Sequence, residues 1–231
     1  MSQYNPLGSR IPNVPFEQPK SLFRFGEQSI WSSQFLASTA NATNQTFRLF
    51  TTPLGQTGQG FAQQLTITET NLKEGGRVPS GLAYDVFGIA CQMNQINSNL
   101  GTDAAGVSYA SAIDTAGEIN TLVGLINSGI LRWNFTQTTI DICPVSLAGA
   151  GGGAFGAIAQ NAAGANSGNM NNGNGQIWMY RKHPVALPGN TTFSVELVFG
   201  NRAPAAWNAV GQDMVARVVL LGYYKNNIEI G

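Results

Sequence analysis

The sequence predicts an all-β sandwich or barrel with Greek-key connections, interrupted by a single helix. Three observations lead there. About eight segments carry β-branched and aromatic residues in alternation or in short runs. Only one interval has helical spacing. Finally, 28 glycines and 10 prolines punctuate the chain between these segments. With 231 residues the chain can bury a substantial core without disulfide or metal staples. Its 43% hydrophobic residues, including 12 Phe, 6 Tyr and 4 Trp, offset the entropy of folding, so a folded, loop-rich protein is expected.

Residues 1–26 are expected to form an extended arm, distinct from a domain over 27–231. Pro6, Pro12, Pro15 and Pro19 exclude a helix there. Tyr4, Phe16, Phe23 and Phe25 are its aromatic residues and need a surface to cover. Two readings stand: a frayed terminus, or a strap laid on a neighbouring subunit with these four residues as contacts. The segment has no basic start followed by an apolar stretch, so no secretory leader is expected. Nowhere does the chain offer about twenty strongly apolar residues in succession, so no transmembrane helix is expected.

The expected strands are Ser29–Leu36, Phe47–Thr52, Leu65–Glu69, Leu82–Cys91, Gly129–Ile142, Gln176–Tyr180, Thr191–Phe199 and Met214–Tyr224. Leu65–Glu69 alternates apolar with polar; Leu82–Cys91 follows a Pro79-Ser80-Gly81 turn; Gly129–Ile142 reads as one long run stopped by Pro144. Val86, Phe87, Ile89, Phe193, Val195, Val218 and Leu220 are the expected core. Between Asp103 and Ser128, Ile113, Ile119, Leu122, Val123 and Ile126 recur at helical spacing, with Asp114 and Glu118 near the start, where carboxylates suit the dipole. Gly129 follows as a stop. The interval from Ile142 to Tyr180 carries no charge, and its Gly-, Ala- and Asn-rich middle, 149–175, is expected as an exposed loop rather than core strand. A membrane-active loop over Leu147–Ala165 is the alternative.

Charge narrows the function further. Twelve Lys+Arg balance twelve Asp+Glu, and the charged fraction is 10%, where roughly 25% is usual. Specific nucleic-acid binding needs clustered basic residues and is not expected. Polarity comes instead from 22 Asn and 15 Gln, and a neutral surface of this kind promotes association. Cys91, Cys143 and the single His183 cannot furnish a standard zinc site; two buried free thiols are expected, with no metal and no cofactor.

No enzyme is expected. Asp85, Asp141 and Glu196 are scattered, so a carboxylate pair would have to be assembled by folding. His183 lies between Lys182 and Pro184 with no Gly-x-Ser-x-Gly elbow in the chain, and Gly149–Gly153 lacks the Gly-Lys-Ser/Thr of a phosphate loop. Sequons start at Asn41, Asn44, Asn134 and Asn190, but matter only in a glycosylating pathway. Trp31, Trp133, Trp178 and Trp207 could line a sugar platform, though Trp133 and Trp178 lie in strands, where core packing is the commoner fate.

Three stretches carry a resemblance: Gly76-Arg-Val-Pro-Ser-Gly-Leu-Ala-Tyr-Asp-Val-Phe-Gly-Ile89, the helix-then-strand unit Ile119–Ile142, and His183-Pro-Val-Ala-Leu-Pro-Gly-Asn-Thr-Thr-Phe-Ser-Val-Glu-Leu197, with Val215–Tyr224 as a closing strand. In the order of these parts the chain resembles the jelly-roll major capsid proteins of tailless icosahedral viruses of bacteria, including those with an internal membrane. The resemblance implies a single eight-stranded jelly roll with one helix in a crossover loop; the double-barrel version, a compact double jelly roll, would need about sixteen strands. It further implies a self-assembling coat protein made in the host cytoplasm and residing in the virion. Its partners would be copies of itself, as trimers, pentamers or hexamers in a shell, with other virion proteins and an internal membrane as further contacts. A virion spike or receptor-binding, carbohydrate-recognising β-sandwich is the alternative. The family's function lies in its interfaces, so no catalytic residue is implied.

Overall fold

Alternation at Phe193, Val195, Leu197 and Phe199, each 2% exposed or less, is what a strand with one face in a core requires, and the same period recurs at Met214, Ala216, Val218 and Leu220. The computed structural model describes residues 23–36, 42–96, 123–135, 138–149, 154–155, 158–160, 166–168, 171–172, 177–180, 182–201, 203 and 213–227. The chain is mostly β-sheet. Its strands are β1 (Phe23–Glu27), β2 (Ile30–Leu36), β3 (Thr46–Leu49), β4 (Leu82–Ile96), β5 (Gly129–Phe135), β6 (Thr138–Pro144), β7 (Ala154–Phe155), β8 (Ile158–Gln160), β9 (Asn166–Gly168), β10 (Asn171–Asn172), β11 (Trp178–Met179), β12 (Val185–Leu187), β13 (Phe193–Phe199) and β14 (Asp213–Asn227).

Two principal sheets face each other. In the first, β14 is central: β2 and β1 follow one another along one side of it, β4 lies on the other, and β11 and β12 pair the far side of β4. The second runs β3-β13-β5-β6. Every pairing is antiparallel. The inner faces bury one shared core, with Trp133, Tyr84, Phe50, Phe193 and Phe199 its bulkiest enclosed residues. The connections after β2, β4, β6 and β13 leave from one end of the sandwich, while those after β3, β5 and β12 leave from the other, where β1 also begins.

Several expectations change. The run Gly129–Ile142 is not one strand but a hairpin, β5 and β6, with Phe135 opposite Thr138. Leu65–Glu69 forms no strand. Glu69 Oε2 instead accepts from the Thr66 backbone N–H at 2.7 Å and from its hydroxyl at 2.5 Å, which holds a local turn and leaves Ile67 59% exposed. Phe87 is half-buried and faces outward beside Tyr223, at a bulge on β4 that leaves it without a register partner on β14, whereas the other six expected core residues are buried. Of the expected helix, residues 123–128 are helical and the part before them lies outside the described residues. Within 149–175 the described residues make two small pairings, β7 with β10 and β8 with β9, nested one inside the other. Among the described residues no helix is long and apolar enough to cross a membrane.

Cys91 and Cys143 are free and buried on the inner faces of opposite sheets. Burial first, then the neighbouring Cys143, pushes the Cys91 thiol from 9.0 up to about 12, and burial pushes Cys143 up to about 11. Unfolded thiols lose their protons near pH 9 while the folded ones keep them, so stability is complete below that pH and declines as pH rises toward 12. The thermal midpoint is expected to be flat just below pH 9 and to fall above it. A midpoint unchanged through pH 11 would contradict the buried, neutral thiols.

Candidate functional site

The two long sides of the sandwich differ. On the β2 side the connection 50–81 covers the edge. Trp31 N–H donates to Asn71 Oδ1 at 2.9 Å, Asn71 Nδ2 to the Ser29 carbonyl at 2.8 Å, and Trp31 Nε1 to the Ile67 carbonyl at 2.9 Å. Ser32 Oγ accepts from Phe50 N–H and Gln59 Nε2. Phe61 and Leu65 close over Phe35 and Val215 as a small second core. Such cover is the usual protection of a sheet edge.

The opposite side, where β6 and the β11–β12 edge meet, has no such cover among the described residues. Instead a cleft of about 770 Å³ opens between the two sheets. Trp133 and Phe135 come from β5, Ile140 from β6, and Ile177, Trp178 and Tyr180 from β11 and its flanks. Trp133 is 2% exposed, stacks on Phe135 with ring centroids 5.5 Å apart, and donates its indole N–H to the Tyr180 hydroxyl at 2.6 Å. This bond ties one sheet to the other across the floor. Burial pushes the Tyr180 hydroxyl up to about 12 against the lowering effect of the Trp133 bond, so it stays a neutral phenol. Lys182 and His183 stand exposed at the rim with Asp141.

The outer face of the second sheet carries a different arrangement. Arg48, Glu196, Arg132 and Asp141 stand directly opposite one another across β3, β13, β5 and β6, giving a row of alternating charge. Arg48 Nε lies 2.9 Å from Glu196 Oε1, which also accepts from Asn134 Nδ2 at 2.8 Å, and Arg132 Nε lies 2.6 Å from Asp141 Oδ1. Glu196 is nearly enclosed, with its side chain 6% exposed. Arg48→Ala is therefore expected to cost about 1 to 2 kcal/mol in urea unfolding, since it leaves a buried carboxylate with one neutral donor. Glu196→Gln, which keeps an acceptor for Asn134, should cost less; the reverse order would mean that Arg48 does not matter to Glu196.

The carboxylates singled out from the sequence are not brought together: Asp85 lies on the first sheet, ion-paired with Lys225, and Asp141 and Glu196 each face an arginine. Among the described residues no group of three or more His, Cys, Asp or Glu could hold a metal ion. Phe23 and Phe25 stand in β1, opposite Asn227 and Lys225, so these two residues of the expected arm belong to the sheet. Tyr4, Phe16 and Trp207 lie outside the described residues. Compared with protein-family models, curated proteins and solved structures, the chain matches none. The cleft was not foreseen from the sequence, because its walls come from segments 133–142 and 177–185, which only the pairing of distant strands makes neighbours.

Proposed function

We propose that the chain is a structural coat subunit of an icosahedral virion, built on a single jelly roll and acting by association with copies of itself. Strand order is the observation that carries this reading. Counting β1 with β2 and β11 with β12 as single positions, one sheet runs first-eighth-third-sixth and the other second-seventh-fourth-fifth. That is the order two Greek keys produce when a double-stranded ribbon folds over on itself. Each position is filled once, which favours a single jelly roll over a compact double one.

A fold hosts many functions, so the assembly role rests on further support. The formal net charge is zero and only 10% of residues are charged, which lowers repulsion between symmetric copies. The same neutrality gives the chain no means of its own to condense a nucleic acid. The reading places the chain in the virion after synthesis in the host cytoplasm, with other virion proteins and an internal membrane as further contacts. A carbohydrate-binding spike head would draw on the aromatic cleft, but Trp133 is enclosed and its N–H is already donated to Tyr180, so it offers no open face to a sugar. Negative-stain microscopy of the purified chain tests the proposal. Shells, sheets or hexameric tiles are expected; isolated trimers that bind glycans would overturn it in favour of the spike.

A further inference from the structure

The open cleft and the N-terminal segment have matching chemistry. Residues 10–17 read Arg-Ile-Pro-Asn-Val-Pro-Phe-Glu, in which Pro12 and Pro15 are separated by two residues. A polyproline II helix repeats every three residues, so a segment with this spacing would present both rings on one face in that conformation. Aromatic-lined grooves are the surfaces that take such segments, and the cleft presents Trp178, Tyr180 and Phe135 around exposed Ile140. Glu17, two residues after Pro15, matches Lys182 at the rim, for which no ion pair is found among the described residues.

We infer that the cleft between β6 and β11 is the docking site for the Pro12–Pro15 segment of a second copy of this chain. The direction of β1 selects a second copy over the chain's own cleft. Phe23 lies opposite Asn227, so β1 comes in from beyond the end of the sheet, along the strand axis. Its own cleft lies two strands away, on the far side of β14 and β4 from β1. The inference rests on the assembly reading above and adds to it the seat of the arm.

The full-length chain with a photo-crosslinking benzoylphenylalanine at position 16 tests this, using a mixture of ¹⁵N-labelled and unlabelled copies assembled together. Cross-links between light and heavy copies are expected to fall within 138–142 or 177–185, and Ile140→Glu should lower their yield about tenfold by setting a carboxylate in the apolar contact. Lys182→Glu and Glu17→Lys should each lower the yield, and the two together should restore it. Cross-links confined to one copy would overturn the inference. Cross-links to another part of a second copy would overturn the seat while leaving the arm and the assembly reading in place. Absence of any cross-link between copies would overturn both arm and seat, and normal shells under the microscope would then separate that failure from failure of the coat reading.

Discussion

Phe193→Ala is expected to destabilise the protein by roughly 3 to 5 kcal/mol. Phe193 is 1% exposed at the start of β13, and its ring packs between Phe50, at 5.8 Å between centroids, and Trp133, at 6.1 Å. These neighbours come from segments far apart in the chain: Phe50 follows β3, and Trp133 lies in β5. Truncation thus leaves a void that no single element can collapse to fill, which is the condition for a cost at the upper part of the range. Because Trp133 also holds Tyr180, loosening it should reach the cleft as well. Urea unfolding followed by far-ultraviolet circular dichroism measures the loss; a midpoint equal to that of the parent chain would show that Phe193 does not sit in the core.

Gly222→Ala is the second large effect. The bulge that leaves Phe87 unpaired sets Gly222 opposite Val86, and the Tyr84 ring lies across the place a side chain would occupy. A Cβ there would meet the Asp85 carbonyl oxygen at 2.4 Å and Tyr84 Cζ at 2.5 Å. Neither neighbour can withdraw cheaply. The Asp85 carbonyl is backbone, and Tyr84 is fully buried with its hydroxyl donated to the Gln28 carbonyl at 2.6 Å and shared with that of Leu220 at 2.9 Å. The expected cost is roughly 3 kcal/mol, at the high end for one added methyl group. In the Tyr84→Ala background the same change should cost less, since one of the two clashes is gone. Equal costs in the two backgrounds would mean that the ring does not cover Gly222.

Much of the sheet was legible because its strands carry their own pattern. Thr191–Phe199 largely alternates and Met214–Tyr224 is a nearly continuous apolar run, and their observed limits differ from the reading by a few residues at the ends. Where the reading failed, local chemistry was ambiguous. Leu65 to Glu69 alternates as a strand would, yet the same spacing lets Glu69 reach back to Thr66 and hold a turn, and alternation alone does not distinguish the two. The hairpin within 129–144 escaped because Thr136-Gln137, the only residues between its strands, contain none of the Gly, Asn or Pro that usually mark a two-residue turn. Residues 23–26 fall within the expected arm because aromatic residues run on past Pro19 without a break in composition, although Phe-Arg-Phe alternates as β1 does. The cleft has no local signature at all, and Trp133 and Trp178 looked alike in sequence while their burial differs: the first is enclosed, the second half-buried.

The position of β14 bears on how the polypeptide is made. The strand made after β1, β2 and β4 is the middle strand of the first sheet, and all three pair with it. Until residue 227 has emerged, β2 and β4 have no partner between them, and the nascent chain holds long unpaired edges that invite intermolecular pairing. Closure therefore waits for β14 and depends on contacts between segments far apart in the sequence, which slows folding. A message truncated before codon 213 should yield aggregates rather than a smaller soluble domain, and surfaces that need the finished sheet come into being only once β14 is in place.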